Sequence, residues 1–180
     1  MAFNRHIARL FGGLALGLAL VSPAQGADDL EQKVRAAFLY NFAKFVSWPG
    51  YKTPQASDPL LFCVLDSDPF AGPLEQNLQG KTVDTHPVQV RRVQRVDDMR
   101  SCHVAYLSIA ESARLAVALE ALAGNGVLTV FQGDAAQHAG IVRFFLEDQR
   151  MRFEINTAAA ERERLEISSR LLGVARVVRE

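Results

Sequence analysis

The stretch KVRAAFLYNFAKFVSWP, residues 33–49, indicates how the chain begins its fold. Its apolar residues recur every three or four positions, which is the spacing of one face of an α-helix. Three phenylalanines lie on that face, and buried aromatic rings contribute a large apolar area to a core. Pro49 is predicted to stop the helix, with Trp48 before it in extended geometry. The stretch therefore predicts a helix whose rings pack in the core rather than act in function.

The residues before this helix have the features of a secretory signal peptide. Two arginines near the start precede an apolar run at 10–21, which is too short for the roughly 20 residues that span a bilayer. Ala24 and Gly26 are small residues at the positions that favour cleavage before Ala27. We therefore expect residues 1–26 to be removed and residues 27–180 to form one exported domain.

The charge and composition favour an ordinary globular domain. The 180 residues include 20 basic and 20 acidic side chains, and 49% of them are hydrophobic. Loss of the two arginines of the signal peptide leaves a small excess of acids. This balance argues against nucleic acid as a partner.

The central part of the sequence alternates strands and helices. Strands are predicted at 60–65, 87–92, 103–108 and 127–130, with helices at 71–78 and 113–123. The nearly continuous apolar runs at 60–65 and 103–108 are typical of strands that are covered on both faces. The order strand, helix, strand predicts an α/β fold in three layers, with a mostly parallel central sheet and helices on both faces.

The C-terminal part of the sequence departs from this alternation. Residues 141–147 and 151–156 flank a short polar turn and predict a β-hairpin. The alternation of apolar and polar residues in the second strand predicts that one of its faces is exposed to solvent. A final helix is predicted from Ser168 or Ser169 into the last residues. Because an edge strand offers unpaired backbone groups, we expect a partner-binding surface here. Its candidate residues are Arg150, Arg152, Glu154, Val177 and Val178.

Two cysteines, Cys63 and Cys102, are separated by 39 positions. An even count in an exported protein favours a disulfide bond, and the alternative is a pair of buried free thiols. The spacing is not that of a Cys-x-x-Cys redox or zinc motif. The three histidines outside the signal peptide have no ligand spacing, so no metal site is predicted.

Three acidic residues follow strands that are expected to be neighbours. Asp66, Asp68 and Glu111 would lie at the carboxyl ends of these strands, where open α/β sheets bind ligands. They could form a ligand loop, or they could cap helices and face solvent. No phosphate-binding glycine loop, nucleophile elbow or cofactor motif accompanies them, so we do not predict an enzyme.

Several segments together resemble the YfiR family of periplasmic proteins. The similarity covers nearly the whole exported part of the chain, in the right order. The segments are AAFLYNFAKFVSWP (36–49), FCVLDSDPF (62–70), SCHVAYLS (101–108), VLTV (127–130), RFEIN (152–156) and LEISSRLL (165–172).

The resemblance implies a periplasmic regulator without catalytic activity. It implies repression of an inner-membrane diguanylate cyclase through the periplasmic domain of that enzyme, and hence control of cyclic di-GMP and biofilm formation. An outer-membrane lipoprotein would compete as a second partner, and the protein would be a homodimer. Cys63 and Cys102 match a disulfide pair of the family, whereas a second pair that some members carry in the hairpin region is absent. A small-ligand-binding periplasmic sensor is the alternative function.

Overall fold

A computed structural model describes residues 23–50, 52–55, 57–109, 112–132 and 140–179. The helices are α1 (Pro23–Lys44), α2 (Ala71–Leu78), α3 (Ser112–Leu122), α4 (Thr157–Arg162) and α5 (Ser169–Leu172), with a 3₁₀ helix at Val96–Ser101. The strands are β1 (Val46–Ser47), β2 (Leu60–Leu65), β3 (Thr82–Val83), β4 (His86–Val93), β5 (Val104–Leu107), β6 (Leu128–Gln132), β7 (Val142–Glu147), β8 (Arg150–Asn156), β9 (Glu166–Ile167) and β10 (Arg176–Val178). Within these ranges, no helix is long and apolar enough to cross a membrane.

Eight of the strands form one sheet in the order β10-β8-β7-β6-β5-β2-β4-β3. The pairing is parallel except for β3 with β4 and for the hairpin of β7 with β8. The remaining strands, β1 and β9, form a separate antiparallel pair. The predicted α/β fold with a mostly parallel sheet and a C-terminal hairpin is confirmed.

One face of the sheet is covered by α1, α2 and α4. Ala36, Leu39 and Phe42 on α1 are completely buried, and they join the rows of side chains that β2, β5, β6 and β7 direct toward this face. From α2, Leu74 and Leu78 enter the same core. The helical spacing in the opening stretch therefore serves core packing, as the sequence predicts.

The opposite face of the sheet carries a smaller core beneath α3 and the 3₁₀ helix. Leu115, Leu119 and Leu122 of α3 pack here with Met99 and Phe131. Because α2 and α3 lie on opposite faces, the chain reverses its direction of winding beside β2 and β5. The carboxyl ends of these two parallel neighbours form a topological switch point.

The opening helix differs from its prediction at both ends. It ends at Lys44 rather than at Pro49, because Val46 pairs with Ile167 of β9 and the carbonyl of Phe45 accepts a hydrogen bond from the Ser168 amide at 2.9 Å. It begins at Pro23, before the predicted cleavage position. Residues 1–22 of the predicted signal peptide lie outside the described residues, so its cleavage stays a prediction.

The predicted final helix is wrong beyond Leu172. After the short α5 and Gly173, the chain turns into β10, which pairs in parallel with the second half of β8. Two adjacent β-branched residues, Val177 and Val178, favour a strand, and the free edge of β8 supplies its hydrogen-bonding partners. Pairing with the distant strand β8, and not the local helical pattern, therefore determines the conformation of this segment.

The helix α4 is capped at its start by Asn156. The side chain of Asn156 accepts a hydrogen bond from the Ala159 amide at 3.1 Å. Asparagine is among the best residues at this position. Asn156 is buried, so the cap also satisfies a polar group that has left solvent.

Candidate partner-binding surface

The predicted partner surface lies around β8, but its members do not form one patch. Arg150 and Arg152 are exposed on the first half of β8. Val177 and Val178 lie in β10, opposite Ile155 and Asn156 in the register. Side chains alternate between the faces of a strand, so the two valines point to opposite faces of the sheet. Val177 is 49% exposed, and Val178 is partly buried.

Glu154 is not on a wet face, and this part of the prediction is wrong. Its side chain is 11% exposed and accepts a hydrogen bond from Arg143 Nε at 2.6 Å. The two residues are directly opposite each other in the hairpin register. Cross-strand pairing of opposite charges explains why the second half of β8 is buried although its sequence alternates. Glu154 therefore has a structural role in the hairpin.

A cluster of cationic and aromatic side chains lies beside the first half of β8. The Arg176 guanidinium carbon is 4.3 Å from the centre of the Phe145 ring, which is a cation–π distance. Arg176 also donates a hydrogen bond to Glu147, and Arg152 lies 3.9 Å from the other oxygen of that carboxylate. The Glu147 carboxylate thus interacts with two arginines, and the cluster has a net positive charge.

This cluster forms one wall of a groove with a volume of about 410 Å³. Its lining is both apolar and cationic. The lining residues are Phe38, Phe145, Glu147, Met151, Arg152, Phe153, Val174, Ala175 and Arg176. Val174 is 73% exposed, which is unusual for a large apolar side chain beside a groove.

The sequence prediction missed most of this groove, although one signal was present. Phe144 and Phe145 are adjacent in β7, and adjacent side chains of a strand point to opposite faces. Phe144 is buried in the core beneath α1, so Phe145 must emerge on the other face. Val174 and Arg176 gave no such signal, because they join the groove only through the placement of β10.

The predicted ligand loop is held together by its own hydrogen bonds. Asp68 accepts one from the Phe70 amide at 2.9 Å and another from the Ser108 hydroxyl, so it joins the segments that follow β2 and β5. Asp66 accepts one from Gln94 at 3.2 Å. Glu111 lies outside the described residues. Among the residues that the structure describes, no group of acids, histidines or cysteines could hold a metal ion.

A second groove, of about 570 Å³, lies between α3 and the 3₁₀ helix. It is near the topological switch point at the carboxyl ends of β2 and β5. Its floor and walls are mostly apolar, and Val117 on its rim is 67% exposed. A few polar groups, among them Ser67, Gln94 and Arg114, border it. This combination is compatible with a small organic ligand.

His103 connects three segments at the opposite end of β5. It is 7% exposed, its Nδ1 accepts a hydrogen bond from the Leu61 amide at 2.9 Å, and its Nε2 lies 3.1 Å from the Lys52 carbonyl. Trp48 donates to the His103 carbonyl at 3.2 Å and packs edge-on against the imidazole. Burial, followed by the nearby Lys52 charge, lowers the pKa of His103 to about 4.

Acidification is expected to destabilise the protein through His103. Its pKa is about 4 when folded and 6.5 as the ordinary value, so the unfolded chain binds the proton first as the pH falls. Neutral His103 makes its full contribution to the free energy of unfolding above pH 6.5. That contribution is lost as the pH drops toward 4, which lowers the free energy of unfolding by about 3 kcal/mol. Urea unfolding of the wild type and of His103→Gln from pH 7.5 to 4 measures this. We expect a flatter pH dependence in the variant, and equal slopes would contradict the assignment.

The fold defines a class of α/β protein with a mostly parallel sheet, and its described surface carries the two grooves described above. Comparison with known families identifies the group within that class: the family model described as YfiR/HmsC-like matches residues 32–176, and the chain belongs to this family. A search of curated proteins finds no match. The family consists of periplasmic regulators of diguanylate cyclases and not of catalysts.

Proposed function

We propose that this protein represses a membrane-bound diguanylate cyclase by binding the periplasmic domain of that enzyme. The observation that carries the proposal is the family match over most of the chain. The groove beside β8 supports it, because an apolar floor with arginines at the rim suits a protein partner better than a small polar substrate.

The mechanism follows from mass action. A protein that binds the inactive conformation of the cyclase more tightly than the active one shifts the population toward the inactive state. An outer-membrane lipoprotein that binds the repressor would lower its free concentration and release the cyclase. A homodimer would present two copies of the surface, which would suit a dimeric cyclase.

Deletion of the gene is expected to raise cellular cyclic di-GMP, and expression of the wild-type protein should restore the lower level. Arg152→Glu should fail to restore it, because the change reverses a charge at the rim of the groove. Arg91→Glu is the matched control, since Arg91 is also an exposed strand arginine but lies on β4, far along the sheet. Mass spectrometry of cyclic di-GMP in the parent, the deletion strain and the three complemented strains gives the measurement.

Each outcome of this experiment bears on a different part of the proposal. An unchanged cyclic di-GMP level after deletion would reject the repressor function. Full repression by a folded Arg152→Glu protein would support the repressor function but reject the groove beside β8 as the binding surface.

Pull-down of the tagged protein from a native envelope fraction should recover the cyclase. Adjacent genes for a periplasmic-domain cyclase and an outer-membrane lipoprotein would agree with the proposal.

A small-ligand sensor is the second candidate function, and the groove between α3 and the 3₁₀ helix favours it. A ligand that binds only the folded state raises the melting temperature. Thermal-shift measurements with nucleotides and amino acids test this, and the absence of any stabilisation across both sets would count against a sensor. Val117→Asp, at the exposed rim, should abolish a shift that arises in this groove.

A further inference from the structure

The first half of β8 is an open sheet edge. Its neighbours in the sheet are β7 and β10, and β10 begins at Arg176, which is level with Glu154. The half of β8 that precedes Glu154 therefore extends beyond β10. No strand of the described ranges pairs with the outer side of that half.

The register of the hairpin determines which backbone groups point outward. Glu147 and Arg150 close a two-residue turn, in which Asp148 and Gln149 have positive φ angles of 50° and 60°. Such a turn is closed by a hydrogen-bonded pair, and hydrogen-bonded pairs alternate along an antiparallel ladder. Arg150 therefore bonds to β7, whereas Met151 directs its N–H and C=O toward the open edge.

The other edge of the sheet is protected. Beyond its short pairing with β3, β4 carries Arg91 and Arg92, and Arg92 forms an ion pair with Glu75 at 2.6 Å. Charged residues are among the usual means by which an edge is kept from pairing. The open half of β8 also carries two exposed arginines, Arg150 and Arg152, but it differs from β4 because apolar residues of the groove border it and could bury an added strand.

The open half of β8 is as long as one short strand. Four residues in extended conformation cover about 13 Å, the length of the open half. Alternate side chains of an added strand would point to opposite faces of the sheet. On one face they would meet Phe38 and Met151, and on the other face they would meet Phe145 with Arg152 and Arg176.

The charges at the rim specify the chemistry of that strand. Arg152 and Arg176 share Glu147, and Arg150 is exposed beside them with Asp148 in the adjoining turn, so three cations outnumber two anions. We propose that the open half of β8 accepts an extended segment of the partner protein as an added strand, in which apolar and acidic residues alternate. This inference rests on the proposed regulatory function and names its mode of binding. Backbone pairing would give affinity, and the alternating side chains would give specificity.

A model peptide tests the strand addition on the purified protein. The probe is a fluorescein-labelled seven-residue peptide that alternates valine and glutamate, and its control replaces each glutamate by lysine. We expect saturable binding of the acidic peptide with a Kd below about 1 mM, and binding of the lysine peptide weaker by about tenfold or more. Hydrogen exchange at the Met151 amide should slow when the acidic peptide binds.

Two variants at one position separate the backbone from the side chain. Met151→Pro removes the outward N–H and should weaken binding of the acidic peptide by about tenfold, whereas Met151→Leu keeps the N–H and should change it less than about twofold. Circular dichroism confirms that each variant is folded. If Met151→Pro unfolds, protection of the amide at position 151 in the Met151→Leu protein takes its place as the deciding measurement.

Three results would overturn the inference. They are no saturable binding of the acidic peptide, equal binding of the lysine peptide, and exchange at Met151 that the peptide leaves unchanged. Dissociation of a dimer by the peptide, seen by sedimentation, would show that a second copy of this chain occupies the edge and would overturn the partner assignment. Loss of cyclic di-GMP control with peptide binding intact would reject the repressor function alone.

Discussion

Phe42→Ala is expected to lower the free energy of unfolding by about 3–5 kcal/mol, which is the usual cost of deleting a buried aromatic ring. Phe42 is completely buried, and its ring centre lies 4.8 Å from that of Phe153 and 5.7 Å from that of Phe144. These two rings belong to β8 and β7. The substitution would therefore leave a cavity where the opening helix meets the C-terminal hairpin. Urea unfolding followed by circular dichroism measures the loss.

Val34→Ala on the same helix is the matched control. Val34 is 36% exposed, so its truncation should change the stability by no more than about 0.5 kcal/mol. The folded fraction of the Phe42→Ala protein should bind the cyclase as the wild type does, because the ring does not reach the surface. A loss of stability similar to that of the control would mean that the ring is not a core contact.

Those parts of the fold that depend on local patterns were predictable from the sequence. The apolar run of β2 and the helix that follows it were predicted with their observed bounds, 60–65 and 71–78. Both faces of β2 are covered, so its composition alone identifies a central strand. The polar turn between β7 and β8 likewise identified the hairpin, since only a tight turn fits between two strands at that distance.

The parts that depend on distant partners were not predictable. Val177 and Val178 favour a strand, but the preceding residues have a helical pattern, and the unpaired edge of β8 decides for a strand. The position of Glu154 in the alternating sequence predicts a solvent-exposed side chain. Instead, Glu154 forms a buried ion pair with Arg143 of the neighbouring strand β7. The opening helix ends early because β9, more than a hundred residues later, pairs with β1.

The same limit explains the outcome for the candidate site. Arg150 and Arg152 were predicted from the sequence because they follow a turn and alternate with apolar residues, and Arg152 lines the groove. Phe38 and Arg176 were not predicted, although they also line the groove. Phe38 lies near the start of the described residues and Arg176 near their end, and only the assembled sheet brings them together. A surface made from both ends of a chain leaves no spacing that a sequence pattern can detect.

Loss of the disulfide bond is expected to cost about 4 kcal/mol, on the chain-entropy relation for a loop of this length. The structure joins Cys63 in β2 to Cys102, two residues before the start of β5, with Cα atoms 6.0 Å apart and a sequence separation of 39 residues. The bond thus ties two neighbouring parallel strands, one on each side of the long connection through α2, β3 and β4. Opening this loop increases the entropy of the unfolded chain.

Cys63→Ala with Cys102→Ala should therefore unfold at a much lower urea concentration than the oxidised wild type, with a similar dependence of free energy on urea. Both side chains are buried in the smaller core, so alanine avoids the unsatisfied hydroxyl that serine would place there. The wild type reduced with dithiothreitol is the second comparison. It retains the sulfur atoms in the core, so its difference from the oxidised protein isolates the cross-link from the loss of volume. Two titratable thiols in material purified from the periplasm would show that the bond does not form there, and equal stability of the oxidised and reduced forms would contradict its expected contribution.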